Sequence, residues 1–332
     1  MQTPKRLLLL AALVLGALTG HSHAIELGLP ARCVVGTDCF FQQFPDMDPG
    51  AGTIDPFCGT ASYDGHDGTD LRILSMADVE RGVAVLAMAD GQVLRLRDGE
   101  PDRMVRTERD RQEVASKECG NGVLIDHGGG MEVQYCHMRQ GSIAVAAGDT
   151  VRRGDVIGEI GASGFAQFPH VHVTVRQDRE AIDPSTGRKL SEGCSDGSDL
   201  TPLFAPQIVA SSGRGEAELI AMGLAGDVVE HDALAEKGPP QPASSNSNAI
   251  VAWGWLIKLR KDDRVRIRLT GPDGRILAEQ ATEPMDRTKA SYSAYAGKRG
   301  SPPPGEYAVS VALVRGGQTV LERIATYTVD SR

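Results

Sequence analysis

Phe168-Pro169-His170-Val171-His172-Val173-Thr174-Val175 is the stretch around which the chain is organised. It alternates as a strand does, so residues two apart share a face. His170 and His172 therefore project together, while Val171, Val173 and Val175 point the other way, toward a core. Two imidazoles side by side are costly to bury without partners. They make sense if they address a metal, a substrate or an acid, and the rest of the chain must supply the missing groups.

Ligand-type residues are close at hand in the sequence. Gly65-His66-Asp67-Gly68-Thr69-Asp70 places His66 and Asp70 four apart, with a glycine between them to bend the backbone. Catalytic zinc usually takes three protein ligands and keeps a fourth position for water, whose pKa it lowers toward about 7. One member of the His170/His172 pair could complete a His-Asp-His set. The histidines left over could orient the water or stabilise an oxyanion. Each piece alone has a blander reading. A His and an Asp four apart usually mark a polar turn, and His-x-His can be a solvated strand face. His137 alone would be an ordinary strand-end residue, His127 sits in a tight glycine turn where a structural role is favoured, and His231 reads as surface. It is their concentration in one small region that favours a metal.

That region is mainly β. Val83 to Ala87 and Gln92 to Leu96 flank Asp90-Gly91, a turn signal. Gly122 to Asp126 and Met131 to Tyr135 surround His127-Gly128-Gly129-Gly130, a hairpin signal. Asp98 to Lys117 is charged and aperiodic and reads as an exposed loop. No long amphipathic helix is legible between residues 58 and 185. Residues 25–57 contain Pro30, Pro45, Pro49 and Pro56 and read as an arm. A second unit, 206–332, shows apolar runs at Ile250 to Leu259, Val265 to Leu269, Tyr307 to Val314 and Thr319 to Val329, with turn signals between them. It reads as a small antiparallel β-sandwich and carries no candidate catalytic group. A chain ending near Phe204 is therefore expected to keep the chemistry.

Residues 1–24 have the pattern of a secretory signal: Lys5 and Arg6, then the short apolar run Leu7 to Leu18, then Ala24 before Ile25. The run is shorter than the roughly 20 residues of a membrane span, and no later stretch is long and apolar enough; an uncleaved anchor is the alternative. Lys5 and Arg6 are its only charged side chains, so its loss takes the formal net charge from −9 to −11. That acidity argues against nucleic acid as a partner. The six cysteines lie between residues 33 and 194. An even number in an exported chain points to disulfides, with about 15 pairings available. Cys33 and Cys39 close a short loop and are the easiest pair. Cys119 and Cys136 flank the hairpin, which would leave Cys58 with Cys194. Zinc held by thiolates is the alternative, but there is no Cys-x-x-Cys.

Residues 58–184 resemble the lysostaphin/LytM-type zinc metallopeptidases. Four blocks carry the resemblance: Gly65 to Asp70; Gly120 to Gly128 with Tyr135-Cys136-His137-Met138; the glycine-spaced Val145 to Gly158; and Phe168-Pro169-His170-Val171-His172. The resemblance implies an antiparallel β peptidase domain at 58–205. It also implies one zinc ion per chain held by His66, Asp70 and His172, with His137 and His170 beside the water and the scissile carbonyl. The implied substrate is peptidoglycan, at a peptide stem or cross-link. Val171, Val173 and Phe165-Ala166-Gln167-Phe168 depart from the family pattern around the groove. The cysteines and the second unit resemble an exported Gram-negative branch, which implies the periplasm, with secretion or anchoring as alternatives.

Two other classes compete. Some relatives have lost the metal ligands and act as regulators or binding proteins for other wall enzymes; all five expected residues are present here. The Val145 to Ile160 stretch also resembles lipoyl or biotinyl carriers, but no lysine lies between Lys117 and Lys189 to bear the group. The leader reading predicts a mature chain beginning near Ile25. N-terminal sequencing of the exported protein checks it, and a membrane-bound product retaining Met1 would contradict it.

Overall fold

The computed structural model describes residues 25–197 and 200–330. The leader expected at 1–24, with His21 and His23, lies outside the described residues. Among those described, no helix is long and apolar enough to cross a membrane.

The first unit is built from strands β1 (Cys39–Gln43), β2 (Thr69–Ile73), β3 (Ala84–Leu86), β4 (Gly91–Arg97), β5 (Asn121–Gly128), β6 (Met131–Met138), β7 (Thr150–Val151), β8 (Val156–Glu159), β9 (His170–Gln177) and β10 (Glu180–Ile182). The main sheet is antiparallel and runs β1-β2-β9-β6-β5-β4-β7, with β10 beside β9 and a separate β3–β8 pair. The strand quoted at the outset, β9, lies between β2 and β6. Val171, Val173 and Val175 are buried in a core with Leu71, Val133 and Tyr135. His170, His172 and Thr174 occupy its other face. The β5–β6 hairpin turns through Gly129 and Gly130, both at positive φ (59° and 82°), which side chains larger than hydrogen resist.

The arm is woven into this unit. β1 forms the sheet edge against β2, and Leu27, Ala31, Phe41 and Phe44 are buried in the same core. Disulfides join Cys33 to Cys39, Cys58 to Cys194 and Cys119 to Cys136, with no cysteine free. Short helices interrupt the strands. α1 (Met76–Arg81) follows β2, and α2 (Glu108–Glu113) lies within the segment read as a loop. α2 buries no residue, so it has no apolar period by which to be recognised. It is held by a Thr107–Asp110 capping box instead.

After α3 (Pro206–Ser211), whose Ile208 is buried in the first core, come β11 (Glu218–Ala225), α4 (His231–Lys237), β12 (Ala249–Leu259), β13 (Arg264–Thr270), β14 (Ile276–Ala281), β15 (Lys289–Arg299), β16 (Gly305–Arg315) and β17 (Gln318–Val329). They form two antiparallel sheets, β11-β12-β15 and β14-β13-β16-β17. The apolar runs legible in the sequence are β12, β13, β16 and β17. β11, β14 and β15 lie outside those runs; β14 and β15 are largely solvent-facing and lack a strong apolar pattern.

β12 is buried on both faces. Ile250, Ala252 and Leu256 pack into the core between the two sheets. Val251, Trp253, Trp255 and Ile257 face the first unit, where they meet Phe40, Met104, Ala162 and Ala166. Burial on both sides explains why this strand reads as a continuous apolar run and not as an alternation. The second unit is therefore packed against the first through an apolar interface, and a chain ending near Phe204 would expose it to water. Trp255 is 1% exposed and donates from Nε1 to Ser291 Oγ at 2.7 Å. Trp255→Ala is predicted to cost about 3–5 kcal/mol of stability, read by denaturant unfolding. A loss well under 1 kcal/mol would mean that the interface contributes little.

Candidate metal centre

The site is assembled by register. Asp70 lies opposite His172 and Arg72 opposite His170 across the β2–β9 pair. Asp70, Arg72, His170 and His172 thus stand on one face of neighbouring strands. His66 enters from the turn before β2. Gly68 sits at a bend in that turn, as expected from sequence, and does so without a positive φ. It is required for close approach, because a Cβ there would lie 2.4 Å from the Val173 carbonyl oxygen and 2.6 Å from His172 Nε2.

Three atoms converge. His66 Nε2 is 3.1 Å from Asp70 Oδ1 and 3.1 Å from His172 Nδ1, and His172 Nδ1 is 2.9 Å from Asp70 Oδ1. The far side of each ring decides what these atoms offer. His66 Nδ1 lies 2.7 Å from the Phe44 carbonyl oxygen. A carbonyl can only accept, so Nδ1 carries the hydrogen and Nε2 presents a lone pair. His172 Nε2 faces Asp67 Oδ1 at 3.3 Å and Thr174 Oγ1 at 3.0 Å, so it donates and leaves Nδ1 to the centre. Two imidazole lone pairs and a carboxylate oxygen then point at one another, an arrangement that needs a cation or a proton between them. Ligands of a tetrahedral ion with bonds of about 2.0 Å stand about 3.3 Å apart; the donor set fits such an ion closely. A second group of ligand-type residues, Cys33, Asp38 and Cys39, has both its sulfurs in a disulfide.

His137 and His170 stand beside this set, their rings 4.5 Å apart. His137 Nδ1 donates to the Ser163 carbonyl and His170 Nδ1 to that of Phe168, each at 2.8 Å. Both therefore keep Nε2 bare, and His170 Nε2 is 3.5 Å from Asp70 Oδ1. His137, next to last in β6, has a positive φ of 61°, unusual for a residue with a side chain. It is held there by its own N–H donating to the Cys119 carbonyl, its carbonyl accepting from Gly161, and the Cys119–Cys136 disulfide alongside. All five expected residues are brought together and buried. His127 is separate from them, donating to the Asp90 carbonyl. His231 is partly buried at the interface, 3.2 Å from Ser293 Oγ and edge-on to Trp255.

Sequence reasoning missed the supporting residues. Asp67 contacts His172, Thr174 and Arg176, and its position inside the His66–Asp70 block was the one available signal. Tyr63 stacks on His66 with ring centres 4.4 Å apart. Nothing in the local pattern marks Tyr63 or Arg72.

Electrostatics divides the histidines. Burial disfavours the His172 cation, but hydrogen bonds to Asp67 and Asp70 outweigh it and hold its pKa up to about 9. Burial pushes the His137 pKa well below its ordinary value, and nearby His170 adds to this; burial also lowers that of His170, against the pull of Asp70. Burial likewise opposes ionised Asp70, yet the surrounding imidazoles hold it well below the usual carboxylate range. In chelator-treated protein the His172 contribution to stability is fully present below about 6.5 and lost as pH rises through about 9. The contributions of His137 and His170 have the opposite sign: fully present above about 6.5 and lost as pH falls through their lowered values. Stability of the metal-free protein, followed by denaturant unfolding across pH, should show both slopes. Bound metal should abolish the alkaline one by replacing the proton on His172. A metal-free stability that rises from pH 7 to 9 would contradict this.

Peptidase family M23 matches residues 64–184. The DD-carboxypeptidase/endopeptidase Mpg of Neisseria meningitidis serogroup B is 37% identical over 65 residues, 20% of this chain and 14% of that protein. The chain thus spans about one-seventh of the length of the curated relatives it matches. Similar solved structures include the catalytic domain of the prophage-encoded M23 protein EnpA from Enterococcus faecalis, 20% identical with a TM-score of 0.32, covering 49% of this chain and 95% of that one. The catalytic domain of lysostaphin from Staphylococcus simulans is 19% identical with a TM-score of 0.29, covering 45% and 89%. All five of these residues fall inside the segment, residues 64–184, that peptidase family M23 matches.

Proposed function

We propose that the chain is a zinc-dependent endopeptidase acting on the peptide part of peptidoglycan in the cell envelope. The observation that carries this reading is the convergence of His66 Nε2, Asp70 Oδ1 and His172 Nδ1, three electron-pair donors fixed from behind by hydrogen bonds, within a family M23 segment. Zinc held there would supply Lewis-acid polarisation of a carbonyl and a nucleophile at neutral pH.

The chain's own residues would do the rest. Asp67 and the Phe44 carbonyl orient the two ligand rings. His137 and His170 are neutral at physiological pH because burial lowers their pKa values, and each offers a bare Nε2. One can take the proton of the attacking water; the imidazolium so formed can donate from Nε2 to the developing oxyanion or to the leaving amine. The rings are close enough that a proton on one disfavours a proton on the other, so the pair holds a single proton at a time. The DD-carboxypeptidase/endopeptidase name of the Neisseria relative supports a cell-wall peptide as substrate. Three disulfides fit an oxidising compartment, the periplasm in this reading.

Metal analysis beside a peptide-cleavage assay on five alanine variants tests the assignment. His66→Ala, Asp70→Ala and His172→Ala should lose metal and activity together. His137→Ala and His170→Ala should keep about one zinc per chain and lose on the order of 10²–10⁴-fold in rate. A His170→Ala protein that loses zinc while His172→Ala retains it would reverse the pair. Wild-type protein that binds zinc tightly but leaves purified cell wall and small wall peptides intact would favour the regulator reading.

A further inference from the structure

We propose that the cleft between the two units, immediately beyond His170, is a substrate subsite that accepts a carboxylate, with Arg72 as the group that recognises it. The inference rests on the peptidase reading for the bearer of that carboxylate, a peptide, and on independent geometry for the site itself.

Arg72 is placed by the same register that builds the metal centre. It lies two residues beyond Asp70 on β2, roughly 7 Å further along the same face, and opposite His170. Beyond it stands Phe168, whose ring is 4.5 Å from that of His170. A cleft of about 530 Å³ opens here, lined by Gln42, Arg72 and Phe168 of the first unit and His231, Trp255 and Ser291 of the second. It adjoins the catalytic face within the reach of one or two residues of an extended peptide.

Arg72 is a buried cation without a counterion. It is 1% exposed, and no carboxylate lies within ion-pair distance of it among the described residues. Its guanidinium centre sits 4.5 Å from the Trp255 ring and 5.1 Å from that of Phe168. Nε donates to the Ile73 carbonyl, Nη1 to Gln42 Oε1 at 2.6 Å and Nη2 to the Leu74 carbonyl. All three acceptors are neutral. A guanidinium has five N–H groups, so one on each Nη is left. The acids on the cleft rim are engaged elsewhere: Asp232 and Glu236 pair with Arg106 at 3.5 and 3.7 Å. Burial of an uncompensated charge is costly. Two flanking aromatic rings and three neutral acceptors compensate in part. A carboxylate would complete the set, because the planar fork of arginine matches it with paired charge-assisted hydrogen bonds. Since Trp255, His231 and Ser291 come from the second unit, that unit supplies one wall of the subsite.

The test uses full-length, chelator-treated protein and two probes, an N-acetylated dipeptide with a free terminal carboxylate and the same dipeptide as its carboxamide. Trp253 and Trp255 are the chain's two tryptophans, so intrinsic fluorescence reports on the cleft directly. The acid should bind on the order of tenfold or more tighter than the amide. Folded Arg72→Gln should lose this preference and Arg72→Lys should retain part of it. Ala290 is an exposed residue lining the cleft. Ala290→Glu would tether a competing carboxylate there without touching the hydrogen bonds of Arg72. It should weaken the acid probe by a similar factor, and Ala290→Gln should not. Equal binding of acid and amide by the wild type overturns the proposal, as does an Ala290→Glu protein with unchanged affinity. A preference that holds in protein unable to cleave any peptide supports the subsite and counts against the peptidase reading. Normal cleavage without any carboxylate preference overturns the subsite alone.

Discussion

The pairing of Asp70 with His172 across β2 and β9 is the constraint on which the candidate site depends. A slip of one residue in an antiparallel pair sends every side chain to the opposite face. Asp70 and His172 would then point into the valine-rich core, and Leu71 and Val171 into the site. The apolar face secures the register, because Leu71, Val171, Val173 and Val175 are all buried in one core. Packing on one side of the sheet thus determines the chemistry on the other. The hydrogen bonds behind His66 and His172 complete this. Without the Phe44 carbonyl and Asp67, the two imidazoles would be free to present either an N–H or a lone pair.

Strain is concentrated at one residue of the site. His137 adopts a left-handed backbone conformation, which costs on the order of 1–3 kcal/mol for a residue with a side chain. The cost is offset by neighbours. The Cys119 carbonyl, the Gly161 N–H and the Ser163 carbonyl all hold His137 by hydrogen bonds. The disulfide at the preceding residue limits the backbone further. The conformation turns the ring off the end of β6 toward His170, which a regular strand end would not do. The Cys119–Cys136 bond therefore stabilises the fold and shapes the site together.

β12 joins the two halves of the molecule by the same logic of alternation. From Ile250 to Ile257 its even-numbered apolar residues belong to the sandwich and its odd-numbered ones to the interface. Trp255 is the point where packing meets electrostatics: it closes the interface, and its ring lies over Arg72 at the end of the candidate site. The second unit sets the environment of a buried cation beside the candidate site.

The sequence by itself determined the local chemistry and its alternation. The His-x-His strand, the His66–Asp70 block and the glycine hairpin were legible because period-two patterning and turn residues are local properties. The even cysteine count pointed to disulfides for a similar reason, and the pairing taken as easiest, Cys33 with Cys39, is the one closed over the shortest loop. The β character of both units followed from the same patterns. Which of His170 and His172 reaches the converging set was not decidable from alternation, since both share a face. That was decided by the strand opposite, where Asp70 meets His172 and Arg72 meets His170. The bareness of each Nε2 or Nδ1, the roles of Asp67 and Tyr63, and the burial of Arg72 against Trp255 all depend on residues distant in the chain. β14 and β15 are not legible because solvent-facing strands carry little apolar signal, and α2 because it buries no residue. What tertiary structure alone decided is which atoms face each other, because hydrogen-bond partners and counterions are supplied across strands and not along them.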